Sequence, residues 1–263
     1  MNAGICASAI QFPIVAGDVD ANLKQARIAI QRAHTHGAHL AVLPEMWSSG
    51  YDYKRLPTLA DATPRIAAEL SELSANLNMV IVGSMPEKDR GSLYNTAFIH
   101  DRGQEVGRYR KLHLFSPMKE DRFLASGDST LVIATSAGRL GVAICYDLRF
   151  PEMFRKLALD GAEVVCLPAQ WPSPRQLHWR TLIRARAIEN QFFLVATNSC
   201  GQLGSLSFFG MSLIVSPRGE FLAEGGEEAT EATALLDFAD MNAYRKEIPA
   251  WHDRRPEIYG TLL

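Results

Sequence analysis

Two segments of the chain share one pattern, and this internal duplication restricts the fold more than any other feature of the sequence. Residues 37–47 read GAHLAVLPEMW and residues 161–171 read GAEVVCLPAQW, so Gly, Ala, Leu, Pro and Trp recur at the same spacing around an apolar stretch. The separation between the copies is much longer than the period of about 20 to 50 residues that defines solenoid arrays. The duplication therefore predicts two similar halves rather than a repeat array.

The sequences that flank the two copies also correspond. Before each copy we predict a helix and, before that helix, a strand that ends in Phe-Pro, at residues 12–13 and 150–151. After each copy we predict a helix, a strand and a hairpin with Arg-Gly at its turn, at residues 102–103 and 218–219. Each half is thus expected to contain a strand–helix–strand–helix unit.

Local patterns indicate where the elements of the first half lie. Apolar residues at helical spacing follow Asp18 and end at Gly37. Thr63 and Pro64 are typical of the N-cap and first turn of a second helix. Strands are predicted at residues 4–10, 38–43, 79–84, 93–100 and 105–110.

Several predicted strands are apolar on both faces, namely LAVL (40–43), VVCL (164–167) and FFLV (192–195). Such strands need cover on each side, which two sheets packed face to face with helices outside them supply. We therefore predict an α/β fold, a four-layer α-β-β-α sandwich built from two similar halves. The 263 residues are enough to bury a core of that size, and residues 1–263 are expected to form a single domain.

Composition and charge limit the partners and the compartment. The 27 Lys and Arg residues are balanced by 29 Asp and Glu residues, so the basic stripe of a nucleic-acid-binding protein is not expected.

Residues 190–217 are uncharged but are interrupted by Asn, Ser, Gln and Gly, and we interpret them as two buried strands joined by a loop rather than a membrane span. The N-terminal segment lacks the basic start of an export signal. We expect a cytoplasmic protein that binds neither nucleic acid nor membranes.

One of the four cysteines stands where a nucleophile is expected. The cysteines at positions 6, 145, 166 and 200 have neither zinc-site spacing nor the density of a disulfide framework. Cys145 follows a predicted strand and precedes a helix that begins near Pro151, an arrangement resembling a nucleophile elbow. Glu45 follows another strand and can accept a thiol proton, and Lys111, at a strand end, can stabilise an oxyanion. Three residues are expected to brace the turn at Cys145 through charge-assisted hydrogen bonds: Asp147, Arg149 and Glu152.

Histidines offer two alternative chemistries. His34, His36 and His39 lie close in sequence, but residues two apart on a helix point to different faces and no further ligand stands near them, so no metal site is predicted. A Cys-His dyad with His113 or His178 is the alternative to activation of the thiol by a carboxylate.

Three ordered motifs, LPEMW, RKLHLF and CYDLRFPE, resemble the Glu, Lys and Cys motifs of the nitrilase superfamily of carbon–nitrogen hydrolases. The resemblance covers nearly the whole chain and implies Cys145 as nucleophile, Glu45 as general base and Lys111 as stabiliser of the oxyanion. Glu120, in MKEDRF, corresponds to a second glutamate beside the lysine, and the backbone N–H of Tyr146 is expected to share the oxyanion. The resemblance implies a homodimer or a higher homo-oligomer, and neither a metal nor an organic cofactor.

The residues around the cysteine narrow the implied activity. Tyr146-Asp147 resembles the amidase branches, since nitrilases usually have Trp-Glu there, and residues 171–191 resemble relatives of ω-amidase, which hydrolyse the terminal amide of 2-oxoglutaramate or 2-oxosuccinamate. The predicted reaction is hydrolysis of a small linear amide with water, through a cysteine thioester, to a carboxylate and ammonia. Residues 252–260 resemble the branch that acts on deaminated glutathione, and an amidase of that type is therefore one alternative. Another amidase, a carbamoylase or a nitrilase of the same superfamily is the other. A catalytically silent interaction protein is the alternative from another class. The sequence does not single out the cation that would bind a substrate carboxylate.

Overall fold

The computed structural model describes residues 4–260, in which strands and helices alternate. The strands are β1 (Ile5–Gln11), β2 (Leu40–Val42), β3 (Val80–Asp89), β4 (Ser92–Asp101), β5 (Gln104–Arg110), β6 (Leu131–Thr135), β7 (Gly138–Val142), β8 (Val164–Ala169), β9 (Phe193–Asn198), β10 (Cys200–Leu203), β11 (Leu206–Phe209), β12 (Leu213–Val215), β13 (Phe221–Glu224) and β14 (Thr230–Leu236). The helices are α1 (Val19–Thr35), α2 (Leu56–Leu59), α3 (Thr63–Leu77), α4 (Pro151–Leu159), α5 (Gln176–Asn190), α6 (Phe238–Glu247) and α7 (Pro256–Tyr259). Short 3₁₀ helices lie at Ala60–Ala62, Ser116–Met118, Glu120–Arg122 and Cys145–Arg149.

The strands form two six-stranded sheets and one small hairpin, β10–β11. The first sheet has the order β14-β1-β2-β3-β4-β5 and the second has the order β13-β12-β9-β8-β7-β6. In each sheet three parallel strands lie at the centre, β1 to β3 in the first and β7 to β9 in the second, with antiparallel strands outside them. When the first sheet is read from β14 and the second from β6, the two orders correspond strand for strand. This correspondence confirms the predicted pair of similar halves.

The layers follow from strands that are apolar on both faces. Leu40 and Val42 of β2 lie in the core between the two sheets, whereas Ala41 packs with apolar residues of α1 and α3, as the two-residue period of a strand requires. On the far side α4 and α5 cover the second sheet with Phe154 and Trp179. Both aromatic residues are fully buried, so truncation of either to alanine is expected to cost about 3 to 5 kcal/mol. The predicted α-β-β-α order of layers is confirmed.

The outer edge of the first sheet joins distant parts of the chain. β14 pairs antiparallel with β1, with Leu236 opposite Ile5 and Thr230 opposite Gln11. In the second sheet the corresponding place is taken by β6, which directly precedes its partner β7. The first half therefore depends on the end of the chain for its sixth strand, whereas the second half does not.

One part of the predicted correspondence between the halves is wrong. Residues 12–13 directly follow β1, but residues 150–151 lie beyond the 3₁₀ helix Cys145–Arg149 and begin α4. Ala9 of β1 and Val142 of β7 pair with residues that occupy the same position in the two repeat copies. Phe12, three residues after Ala9, therefore corresponds to Cys145, three residues after Val142, and not to Phe150. The physical reason is the extra turn that the second half inserts at this cysteine.

Thr63 is not the N-cap of α3, which corrects a second prediction. The 3₁₀ helix Ala60–Ala62 runs directly into α3, so Ala62 is the capping residue and Thr63 already has helical backbone angles. The Thr63 hydroxyl instead donates a hydrogen bond to the carbonyl oxygen of Pro86 on β3, at 2.6 Å. A side chain with this role joins the helix to the sheet rather than satisfying the first N–H groups of the helix.

The uncharged segment 190–217 contains β9 and β12, as predicted, and also the hairpin β10–β11 in place of the expected loop. Across residues 4–260, no helix combines the length and the apolar character needed to cross a bilayer. Besides the hairpin β10–β11, the strands and α-helices that the sequence did not indicate are β6, β14, α2, α6 and α7.

Candidate active site

Three separate loops bring the candidate catalytic residues together. Glu45 follows β2 and Lys111 follows β5, both in the first sheet, and Cys145 follows β7 in the second sheet. All three side chains are buried, with exposed fractions of 0%, 2% and 8% for Glu45, Lys111 and Cys145. The site thus forms where the two sheets face each other, at the carboxyl ends of β2 and β7.

Cys145 lies on a sharp turn whose geometry is fixed by a carboxylate. Its backbone φ of 47° is in the left-handed region, which costs a residue other than glycine about 1 to 3 kcal/mol. Asp147 offsets that cost, because its carboxylate accepts hydrogen bonds from the N–H of Ile144 at 2.8 Å and from the Tyr109 hydroxyl at 2.7 Å. The 3₁₀ helix that begins at Cys145 leaves the N–H of Tyr146 in its first turn, where N–H groups have no acceptor within the helix.

Lys111 lies between two buried carboxylates. Its Nζ is 2.7 Å from Glu45 Oε1 and 2.8 and 3.0 Å from the two oxygens of Glu120. Glu120 is 1% exposed, belongs to the 3₁₀ helix Glu120–Arg122, and also accepts the N–H of Phe115 at 2.7 Å. The structure therefore joins Glu120 to the predicted trio through Lys111.

Glu45 accepts hydrogen bonds from four groups. Its Oε1 accepts from Lys111 and from Asn95 Nδ2, at 2.8 Å for the amide, and its Oε2 accepts from the Tyr51 hydroxyl at 2.7 Å and the N–H of Gln170 at 3.1 Å. The carbonyl oxygen of Asn95 also accepts the N–H of Lys111 at 2.9 Å. Sequence reasoning missed Tyr51, Asn95 and Gln170. For Gln170 a signal existed, since it stands in the second repeat copy directly after the position that matches Glu45.

The charges of these groups set their protonation states. Burial acts to raise the pKa of Glu45, but the charge and hydrogen bond of Lys111, with the Tyr51 hydroxyl, outweigh burial and lower that pKa. Burial and the Glu45 carboxylate raise the pKa of the Cys145 thiol well above its ordinary value, and Lys111 opposes this only in part. Burial acts to lower the pKa of Lys111, yet Glu45 and Glu120 outweigh it and raise that pKa well above its usual range. At neutral pH the site holds an ionised Glu45, a lysine ammonium and a neutral thiol.

A pocket opens above Cys145. The empty space in it, with the open solvent at its mouth included, is about 390 Å³. Aromatic rings form much of its wall, while Lys111, Glu120 and Cys145 lie at its floor. The side chains that complete the lining are Tyr51, Tyr53, Phe115, Met118, Tyr146, Arg149, Gln170, Trp171, Pro172 and Arg175.

The expected bracing of the turn holds for one of three residues. Asp147 is the brace described above, whereas Arg149 lies over the ring of Trp171, 4.9 Å from its centroid, and lines the pocket. Glu152 is exposed on α4. Arg149 ends the 3₁₀ helix and Glu152 lies beyond it on α4, so their side chains leave the turn in other directions, and their predicted role is wrong.

The histidines considered as partners of the thiol bond elsewhere. His113 Nδ1 lies 2.8 Å from Asp147 Oδ1, and its ring stacks on Phe150 with the centroids 3.6 Å apart. His178 Nδ1 lies 3.4 Å from the guanidinium of Arg149. These contacts favour activation of Cys145 by Glu45 over a Cys-His dyad.

The other sequence candidates lie away from this site. Cys6, Cys166 and Cys200 are free thiols, as is Cys145. In the part of the chain that the structure describes, no group of three or more His, Cys, Asp or Glu side chains, including the histidines at positions 34, 36 and 39, surrounds a possible metal position.

Comparisons with known proteins identify the family to which the chain belongs. The chain matches the family model described as carbon-nitrogen hydrolase over residues 6–246. It is 39% identical over 255 residues to the 2-oxoglutaramate amidase of Bacillus subtilis (strain 168), covering 96% of this chain and 98% of that protein. It is 34% identical over 255 residues to omega-amidase NIT2 of Homo sapiens, covering 92% of each. The crystal structure of Saccharomyces cerevisiae Nit3, a member of branch 10 of the nitrilase superfamily, superposes with a TM-score of 0.89 at 30% identity over 97% of this chain and 98% of that one.

The chain belongs to the carbon–nitrogen hydrolase family, within the nitrilase superfamily. It is a hydrolase of carbon–nitrogen bonds other than peptide bonds. The family, the fold and the class of enzyme predicted from the sequence are therefore confirmed.

Proposed function

We propose that this enzyme hydrolyses the terminal amide of an ω-amido 2-oxo acid, such as 2-oxoglutaramate, to a carboxylate and ammonia through a thioester on Cys145. The observation that carries the proposal is the buried cluster of Glu45, Lys111 and Glu120 against a thiol held at the floor of a small pocket. The relatives named as 2-oxoglutaramate amidase and omega-amidase support the choice of substrate.

In the first half of the proposed reaction Glu45 is the base. As the Cys145 sulfur bonds to the amide carbon, the thiol proton passes to Glu45, and the carbonyl oxygen becomes an oxyanion. The Lys111 ammonium and the N–H of Tyr146 stabilise that oxyanion. When the intermediate collapses, the carbon–nitrogen bond breaks, and Glu45 gives its proton to the nitrogen, which leaves as ammonia.

In the second half water replaces the thiol. Glu45, again ionised, takes a proton from a water molecule as its oxygen bonds to the thioester carbon. Collapse then breaks the carbon–sulfur bond, and the proton on Glu45 returns to the Cys145 sulfur. Glu120 orients Lys111 and balances part of its charge throughout, since it is held by Lys111 on one side and by the N–H of Phe115 on the other.

Ammonia release from a panel of compounds tests this function. The panel holds 2-oxoglutaramate, 2-oxosuccinamate, deaminated glutathione, pentanamide, an N-carbamoyl amino acid and an aliphatic nitrile. The highest kcat/KM is expected for the two 2-oxo acid amides, with an acyl group on Cys145 trapped as a hydroxamate by hydroxylamine. Preference for deaminated glutathione, a nitrile or a carbamoyl compound would overturn the substrate, and full activity of Cys145→Ala would overturn the mechanism.

Three properties of the whole molecule belong to the same proposal. Residues 1–263 form a single domain, supported by the family match over residues 6–246 and by the β1–β14 pairing, and urea unfolding should follow one transition by near- and far-UV circular dichroism. The enzyme works in the cytoplasm, where a reducing medium keeps its four thiols free.

The enzyme acts as a homodimer, and the exposed apolar side chains of Leu177 and Ile258 support this assembly. Light scattering measures the mass of the assembly in solution.

A further inference from the structure

Two arginines face the pocket above Cys145, and they differ in how much of their hydrogen-bonding capacity is used. Arg149 lies over Trp171, and its guanidinium is 3.4 Å from His178 Nδ1. Arg175 has only a loose contact with the ring of Phe115, 5.8 Å from its centroid. Within residues 4–260 the guanidinium of Arg175 has neither a hydrogen bond nor an ion pair with the protein. Arg175 is thus a half-buried cation whose donors are free to bind a ligand.

The floor of the pocket cannot supply a cation for a substrate carboxylate. Lys111 is the cation at this floor, but the carboxylates of Glu45 and Glu120, whose oxygens lie within 3.0 Å of its Nζ, already balance its charge. With a neutral thiol these groups leave one net negative charge at the floor. A substrate that carries a carboxylate therefore needs a counter-charge elsewhere in the pocket wall.

The backbone of Arg175 is held while its side chain is not. Its carbonyl oxygen accepts the N–H of Trp179 at 3.1 Å in the first turn of α5. Trp179 is fully buried and donates its ring N–H to the carbonyl oxygen of Met211 at 2.8 Å, which fixes that turn against the second sheet. The guanidinium is therefore presented from a fixed point at the pocket wall.

We infer that Arg175 binds the carboxylate of the substrate at the end opposite to the reacting amide, and that it determines the preference for amides of dicarboxylic acids. This inference rests on the proposed function. A guanidinium matches a carboxylate with two parallel hydrogen bonds, and the aromatic wall of Tyr53 and Phe115 strengthens them by excluding water. Arg149 is the fixed neighbour that contributes charge to the same wall.

The test compares two substrates of the same chain length, 2-oxoglutaramate and pentanamide, which lacks both the carboxylate and the 2-oxo group. Arg175→Gln is expected to lower kcat/KM for 2-oxoglutaramate by about 10- to 100-fold, mainly through KM, with a much smaller change for pentanamide, since one charge-assisted pair is lost. Arg175→Lys should recover part of the loss. The matched control is Arg184→Gln, an exposed arginine on α5 that lies over Phe221 and should leave both values as they are.

Calorimetry separates binding from turnover. On the Cys145→Ala background 2-oxoglutaramate should bind, and addition of Arg175→Gln should weaken binding by the same factor as the rise in KM. Equal losses for both substrates in Arg175→Gln, or loss of the carboxylate preference in Arg149→Gln alone, would overturn the role of Arg175 while leaving the proposed function intact. A wild-type enzyme with no preference for 2-oxoglutaramate over pentanamide would overturn both.

Discussion

The N–H of Glu45 donates a hydrogen bond to the carbonyl oxygen of Ala169 at 3.3 Å, and these two residues occupy the same position in the two repeat copies. The next residue of the second copy, Gln170, holds Glu45 from both sides: its N–H bonds to the carboxylate and its side-chain amide donates to the Glu45 carbonyl oxygen at 2.8 Å. One copy therefore supplies the carboxylate and the other supplies donors that orient it. The duplication yields one such cluster because alanine stands where a second glutamate would be and Phe12 stands where a second cysteine would be.

Replacement of Glu45 by glutamine should abolish most of the activity without unfolding the protein. The variant keeps the shape of the side chain and leaves Lys111 paired with Glu120, but it removes the group proposed to take the thiol proton. We expect kcat for 2-oxoglutaramate to fall by about 10²- to 10⁴-fold. Glu72→Gln, a change at an exposed position of α3, is the control. Activity of Glu45→Gln within a few-fold of wild type, at equal thermal stability, would contradict the role.

Replacement of Lys111 by methionine should destabilise the fold in a pH-dependent way. It leaves the buried carboxylates of Glu45 and Glu120 without their cation, which is expected to cost about 3 to 5 kcal/mol at pH 7.5. The loss should shrink at pH 5, because the unpaired carboxyl groups take up protons. Urea denaturation at the two pH values measures it, with Lys88→Met as the control, since the exposed Lys88–Asp61 pair at 2.9 Å is worth less than about 1 kcal/mol. A loss that does not depend on pH would argue against charge as its cause.

The pH dependence of activity should report a thiol that reacts through Glu45 and not through free thiolate. Burial and the Glu45 charge raise the pKa of Cys145, while Lys111 overcomes the effect of burial and lowers the pKa of Glu45. The reactive pair therefore persists across neutral pH, and kcat/KM should be flat between about pH 6 and 9. A profile that rises tenfold per pH unit towards pH 8.5 would instead indicate a thiolate formed by simple ionisation.

His100 should make the fold less stable in mild acid. Burial lowers its pKa to about 4, and its Nδ1 is 2.9 Å from the Ser71 hydroxyl. In the unfolded chain a histidine has a pKa of about 6.5. Below that pH the unfolded state therefore binds a proton that the folded state does not bind. The stabilisation from His100 is therefore fully present above about pH 6.5 and is lost as the pH falls towards 4, by up to ~3 kcal/mol. Urea denaturation of His100→Gln should show a shallower loss over this range, whereas the exposed His252→Gln should keep the wild-type slope.

The grouping of Glu45, Lys111 and Cys145 could be predicted because each follows a predicted strand and the three ordered motifs identify them as a set. Cys145 stands between a strand and a helix, and Glu45 stands in a repeat copy whose partner lacks it. Tyr51 and Asn95 were not predictable, because each meets Glu45 only after loops distant in sequence have packed. Their hydrogen bonds leave no periodicity or spacing in the sequence.

The directions of the side chains on the turn at Cys145 could not be predicted from the sequence either. Asp147 and Arg149 are two residues apart and both are charged, yet one points back to bond with Ile144 and the other points into the pocket. That difference depends on the positive φ of Cys145 and the 3₁₀ geometry that follows it. Among the strands, β14 escaped prediction because its half-exposed sequence, TEATALL, lacks the continuous apolar run that marks the central strands. The sequence of β6, LVIAT, does contain such a run, so that strand was predictable.

The pairing of β1 with β14 has a consequence for synthesis on the ribosome. At about 5 to 20 residues per second, the chain between the two strands takes roughly 10 to 50 seconds to make. During that time the N–H and C=O groups on one side of β1 await a partner that has not yet been translated, in a segment that ends up almost entirely buried. The first sheet therefore cannot complete its β1 edge until Leu236 has been synthesised, whereas β6 directly precedes β7 in the second sheet.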